Sequence, residues 1–491
     1  MKLGNIPRTS NSQLIQPAGV SLVQWGLVVL SLVFSLIGYL TSRYDQLSVL
    51  AALLLIANLI LLAAVAKEAL KTRLLGKFFL VASCLIFFWV DAFDLSRQEV
   101  AFAVPRGLPV SSQQFDQRLL QDGFFYVALF QLMLLVGYSV RPRLNTWATW
   151  IGRRLDTTHR LHRLLIYVFV ACALLPFLMT YDFNLKVALD AVLAARSEAR
   201  ETQDIGLLLL LSYFGMFGAS LLLVESFVTK GLKRVGTLAV ATIAVLPYVY
   251  GGTRHLLLYI SLPLIIIFPR LFTRKWNTTR LGAATFIMIM LMTVFQLQIT
   301  LRDVGWSNIR AVPIDSFAQA NTNGQFGALL FAEYLVPDTH DYFMEPAEVY
   351  FLIQWIPRKF WPEKPVMRSW DYYNYAYTQG WEFNVTPSVI GQYYMSWGVL
   401  GIVGIGIWLG FLTQLADKWI AILKVRDQRA MVVVVGMFYA FIISSFRFYS
   451  PIYFAYFVFA FVSMCLMTAR KKEKRLEIPQ LLPAQLLRRP F

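Results

Sequence analysis

Cysteine and histidine are scarce in this chain, with three and four copies in 491 residues. Cys84, Cys172 and Cys465 each sit inside an apolar run with no paired spacing, which excludes a disulfide framework and a C-x-x-C site and leaves packing as their role. His159, His162, His255 and His340 are too scattered for a zinc centre, so no metal site is expected, although a divalent ion held by carboxylates stays open. The chain also lacks a P-loop, a G-x-G-x-x-G turn after a strand and an H-E-x-x-H helix. No cofactor is therefore expected. Charge is sparse as well: 15% of residues are Asp, Glu, Lys or Arg, against roughly a quarter in soluble domains. With 57% hydrophobic residues and a mean hydropathy of +0.57, the composition excludes a soluble globular chain and describes an integral membrane protein.

Apolar runs near the ~20 residues that a bilayer core requires number about a dozen, which predicts an all-α polytopic fold. They fall near 21–40, 47–66, 75–93, 124–140, 164–181, 206–228, 235–250, 255–272, 281–299, 396–415, 430–445 and 451–468. The polar start MKLGNIPRTSNSQLIQPAG precedes a run long enough to span, so the first run is expected to stay as a helix rather than be cleaved as a signal peptide.

Charge placement tests this layout independently, because cytoplasmic loops are enriched in Lys and Arg. With the N-terminus inside, every inside connection is basic, from Lys67, Lys71 and Arg73 through Arg153, Arg154 and Arg160 to Lys424, Arg426 and Arg429. Both termini of this multi-pass chain are then cytoplasmic. The formal charge of +17 is explained by topology and contact with membrane lipid, and nucleic acid is not an expected partner. Acids outnumber bases in the outside connections 181–204 and 301–387. The chain thus divides into helices one to nine (1–300), a long extracytoplasmic loop with a short interfacial helix (301–387), helices ten to twelve (388–469) and a basic cytoplasmic tail (470–491). The long loop exceeds what a connection requires, so function is expected there.

Three arginines lie at the outer ends of spans: Arg254 in YGGTRHLLL, Arg302 in TLRDVGW and Arg447 in SSFRFYSP. Guanidinium forks in such places suit a diphosphate, and snorkelling to headgroups is the alternative. Inside the long loop, Glu333, His340, Glu345 and Asp371 are candidate general bases. Trp361 and Trp370 offer flat faces for sugar rings or, alternatively, form part of an interfacial aromatic belt. The segment EPAEVYFLIQW (345–355) reads as a short interfacial helix that leads into IPRKFWPEKP (356–365). There the prolines stiffen an extended stretch presenting Arg358, Lys359 and Lys364 to a lipid diphosphate or to headgroups.

After the loop comes TPSVIGQYYMSWGVLG (386–401). This resembles the C-terminal signature of the Wzy-type oligosaccharide repeat-unit polymerases, the O-antigen polymerase family, in which a TPS-like start leads to G-E-x-Y-x-x-F-G-x-x-G. Thr386, Pro387, Ser388, Gly391, Tyr394, Gly398 and Gly401 match, while Gln392 and Trp397 depart from it. The I-P-R-x-x-W-P-x-K-P stretch and Gly252 with Arg254 resemble the family too, so the likeness runs over about 245–450. It implies a GT-C-like membrane glycosyltransferase, with Tyr394 at the substrate. Such an enzyme joins undecaprenyl-diphosphate-linked oligosaccharide repeats into O-antigen or exopolysaccharide, and a chain-length regulator and a flippase are its expected partners. Because Gln392 replaces the acid, the base has to come from elsewhere. An O-antigen ligase using the same donor is the nearest alternative, and a lipid-linked-sugar flippase or secondary transporter is the alternative of another class.

Overall fold

The computed structural model describes residues 20–41, 47–72, 74–97, 112–140, 160–187, 206–249, 254–271, 324–337, 340–346, 349–350, 353, 361–365, 367–378, 386–422 and 429–467. Among the described residues every regular element is a helix. In chain order these are α1 (Leu22–Thr41), α2 (Leu47–Thr72), α3 (Gly76–Cys84), a π-helical turn (Leu85–Trp89), α4 (Val90–Arg97), α5 (Ser112–Ser139), α6 (Arg160–Thr180) and α7 (Gly206–Val228). They continue with α8 (Leu232–Val249), α9 (Arg254–Leu271), α10 (Gln325–Leu335), α11 (Arg368–Thr378), α12 (Val389–Ile422), α13 (Arg429–Ser445) and α14 (Pro451–Met467).

Among the described residues, five stretches are long and apolar enough to cross a membrane: Leu47–Ala69, Gly76–Ser96, Arg118–Ser139, Leu211–Val228 and Val389–Ala421. Shorter apolar helices occupy Leu22–Ile37, Leu164–Met179, Leu256–Ile266, Arg429–Ser445 and Tyr453–Met467. The run expected at 281–299 and the tail 470–491 lie outside the described residues. Large apolar side chains stay exposed along α1 (Leu30, Val33, Ile37), α2 (Leu53, Ile56, Ile60) and α8 (Val235, Ile243), as a lipid-facing surface requires.

Two differences from the hydropathy pattern matter for the site. First, α5 begins at Ser112, well before the run expected at 124, because polar residues at a helix end do not register in an apolar window. Second, residues 324–335, expected within a loop, form α10. Its 11 residues reach only ~16 Å, too short to cross a ~30 Å core. Phe326, Leu329, Leu330 and Ala332 are nonetheless fully buried against the bundle.

The centre of the bundle is the contact of α5 with α12, where the lack of side chains lets two backbones meet. A Cβ on Gly410 would stand 2.0 Å from the Leu134 carbonyl oxygen, and one on Gly137 would stand 2.0 Å from that of Ile407. Gly406 and Gly410, one helical turn apart, form a small-residue stripe of the kind that packs helices in lipid, where apolar burial gives helices little drive to associate. Gly410→Leu is expected to push α5 from α12 and to cost more than about 3 kcal/mol, read as loss of the monodisperse peak in detergent size exclusion.

We call the end of the bundle that holds α10 and α11 the upper end. About 28 Å down α12 from Gly398, at the lower end, Asp417 is completely buried. It accepts hydrogen bonds from Tyr138 Oη (2.6 Å), the Gly76 N–H (3.1 Å) and Tyr439 Oη. Lys77 pairs with Glu68, lies 5.6 Å from the centre of the Tyr138 ring, and Gln24 Nε2 donates to Glu68 Oε2 at 2.7 Å. These groups tie α1, α2, α3, α5, α12 and α13 together. Asp417→Ala removes an acceptor that three buried donors share. It is expected to cost about 3 kcal/mol, measured as a fall in the thermal midpoint of the detergent-solubilised protein.

Candidate functional site

The upper end is assembled around α10. Asp91 in the first turn of α4 accepts the N–H groups of Phe326 (3.0 Å) and Gly327 (3.1 Å), fixing the N-terminus of α10. An acid in an apolar run suggests an interfacial side chain, but this one is spent as a cap. Glycines clear room on both sides of α10: a Cβ on Gly123 would meet Leu330 at 2.4 Å, and one on Gly391 would meet Ala332 at 3.0 Å. The Phe124 and Phe326 rings stack between α5 and α10 at 5.5 Å.

That wedge brings Glu333 of α10 against Asp122 of α5, carboxyl beside carboxyl. Both residues are buried, and the exposed Arg118 guanidinium stands 3.8 Å from Asp122 one turn away. Tyr126 of α5 and Tyr394 of α12 adjoin Glu333, their phenols hydrogen-bonded and their rings 5.1 Å apart. Tyr342 meets the Tyr394 ring edge-on at 6.1 Å. Carboxyl groups, phenols and a guanidinium therefore converge on one spot, enclosed by aromatic rings.

The irregular stretch 342–346, left-handed at Met344 (φ 50°), separates this cluster from a cavity. It is held to α12 by the N–H groups of Phe343 and Met344, which donate to the carbonyls of Met395 (3.1 Å) and Ser396 (2.8 Å). Trp397 Nε1 donates to the Glu345 carbonyl at 3.0 Å. The buried Glu345 carboxylate accepts the N–H groups of Arg368 (2.9 Å) and Ser369 (3.0 Å), capping α11, and the Tyr350 hydroxyl lies at 3.4 Å. Burial, and then the Glu345 carboxylate beside it, push the Tyr350 phenol up, so it stays a proton donor.

Beyond Glu345 opens a cavity of about 570 Å³ lined by Phe343, Tyr350, Pro362, Glu363, Lys364, Pro365 and Arg368, among others. Two cations, Lys364 and Arg368, and two acids, Glu345 and Glu363, share its wall, and the prolines that follow Trp361 form part of it. Since Glu345 already takes the first N–H groups of α11, an anion here meets the side chains of Lys364 and Arg368 rather than the helix end.

The remaining candidates from the sequence are placed as follows. Asp371 is exposed in the first turn of α11. His340 is exposed, stacks on Phe343 with ring centres 4.2 Å apart, and its Nδ1 lies 2.6 Å from the Asp341 carbonyl. Trp361 is exposed, and half-buried Trp370 packs on Phe448 (5.8 Å), next to half-buried Arg447. α11 is thereby joined to the turn that carries Arg447. Arg302, Arg358 and Lys359 lie outside the described residues, as does the side chain of Arg254, the first residue of α9. Residues 349, 350 and 353 of the expected interfacial helix are helical.

Gln392, which stands where the resembling signature has an acid, is buried. It donates to the Tyr449 carbonyl (3.2 Å) and accepts the Tyr449 N–H (3.0 Å). A carboxylate has no proton to give to that carbonyl, so the amide is the group that locks α12 to the α13–α14 turn. Sequence reasoning passed over Arg118, Asp122, Tyr126 and Arg368. An acid at the edge of an apolar run, as in LLQDGFF, was the available signal for Asp122.

No family model, curated protein or solved structure matches this chain.

Proposed function

We propose that the chain is a GT-C-like membrane glycosyltransferase of the bacterial inner membrane, with about twelve spans, cytoplasmic termini and one long extracytoplasmic segment. It polymerises undecaprenyl-diphosphate-linked oligosaccharide repeats. The observation that carries this reading is the juxtaposition at the upper end: a cavity with two cations on one side of residues 342–346, and a buried carboxyl site walled by tyrosines on the other.

The chemistry asks for both. Glu333 takes the proton of the acceptor sugar hydroxyl, and the freed oxygen forms a bond to the anomeric carbon of the growing chain. The bond from that carbon to the diphosphate oxygen breaks, and the electron pair leaves with undecaprenyl diphosphate. Lys364 and Arg368, with Arg254, Arg302, Arg358, Lys359 and Arg447, stabilise the charge that develops there, and no cofactor takes part. Trp361 and Trp370 face sugar rings or headgroups, and Glu345 acts as the cap that shapes the cavity.

The purified protein in detergent, given the lipid-linked repeat unit alone, is expected to produce a ladder of lengthening chains. Transfer only to a lipopolysaccharide core would make it a ligase. The Lys77–Glu68 pair and the buried Asp417 are the observation that favours transport, since charges inside a span often line an ion path. Activity that requires sealed vesicles and a gradient would establish that reading and remove this one.

A further inference from the structure

We infer that Asp122 is the positioning residue for the base: Asp122 and Glu333 work as one carboxyl pair that holds a single proton and directs Glu333 at the acceptor hydroxyl. This rests on the polymerase reading above. Two buried carboxyl groups set against each other repel when both are ionised, so the pair is stable only with a proton held between them. Burying two acids against each other is a poor way to stabilise a helix contact, and an apolar pair of similar volume would hold α5 to α10 better. The surroundings are those of a site for a polar ligand. The phenols of Tyr126 and Tyr394 lie beside Glu333, the Tyr342 ring flanks Tyr394, and Arg118, with 82% of its side chain exposed, stands 3.8 Å from Asp122. Next to Asp122 in the chain, Gln121 is buried and its Nε2 has no hydrogen-bond partner among the described residues.

In the reaction, the shared proton stays between the two carboxyls while the acceptor O–H proton moves to the remaining carboxylate capacity on Glu333. The pair then carries two protons, and the acceptor oxygen is released to form the new glycosidic bond. Once the product has left, one proton passes to water at the open edge beside Arg118.

Infrared spectroscopy of the purified protein tests the pair without any substrate. At neutral pH a protonated-carboxyl stretch is expected that disappears in Asp122→Asn and also in Glu333→Gln, and persists in the double swap Asp122→Glu/Glu333→Asp. Survival of that full band set in either single variant would overturn the inference, as would its loss in the swap despite a folded protein. In the polymerisation assay Asp122→Asn is expected to lower kcat about 100-fold with KM nearly unchanged, and Asp122→Glu to recover part of it. An Asp122→Asn protein as fast as wild type sinks the positioning role and leaves the polymerase reading standing. Wild-type protein that shows the shared-proton signature yet builds no polymer sinks the polymerase reading and leaves the pair.

Discussion

Glu333→Gln is expected to stop chain growth, with turnover falling between about 100-fold and 10,000-fold, the range that a positioned general base supplies. The amide keeps the size of the side chain and can still hydrogen-bond to Asp122, so α10 stays wedged between α5 and α12. Binding of the lipid-linked donor should therefore persist. The measurement is chain length on a gel together with retention of labelled donor by the same preparation. A Glu333→Gln protein that elongates at the wild-type rate would move the base to His340 or Asp371, the exposed alternatives at the same end.

Lys364→Ala combined with Arg368→Ala is expected to produce the second large effect, through the leaving group. A hydrogen bond to a charged partner contributes about 1.5–3 kcal/mol, so each cation removed should cost about 10-fold to 100-fold in kcat/KM. Alanine at 368 does not touch the cap, because Glu345 holds the backbone N–H of Arg368 and not its guanidinium. Loss of activity then reports on the cavity rather than on α11. Arg368→Lys should recover only part of the rate, since an ammonium lacks the planar fork that matches phosphate oxygens. Full activity in the double variant would leave the cavity without a role in the reaction. Arg447, joined to α11 through Trp370 and Phe448, is the next cation to test.

The two halves of the site differ in how legible they are in the amino-acid order. Glu333 and Lys364 were candidates from the start, because acids and bases clustered between apolar runs stand out against an apolar chain, and Tyr394 was one because it falls in the TPSVIGQYYMSWGVLG stretch. Arg368 belongs to the same segment but to no motif. What selects it is the cap that Glu345 makes, which turns the start of α11 towards Lys364. Gln392 is the reverse case. Its place in a signature invites a catalytic reading, and only its two contacts with the Tyr449 backbone show a lock between helices.

By itself, the sequence determined the medium and the architecture. Apolar runs of bilayer length, scarce charge and basic connections dictate helices in a membrane, because lipid leaves no other way to satisfy a backbone. The tertiary structure alone decided which polar groups meet. α10 lies against the bundle because Gly123 and Gly391 make space for it, and this packing sets Glu333 on Asp122 from a distant part of the chain. Hydropathy follows the average preference of a segment for lipid or water, whereas a pair of acids in contact depends on where two separate helices cross. That crossing is set by shape, at positions where an added methyl group would crowd Leu330 and Ala332.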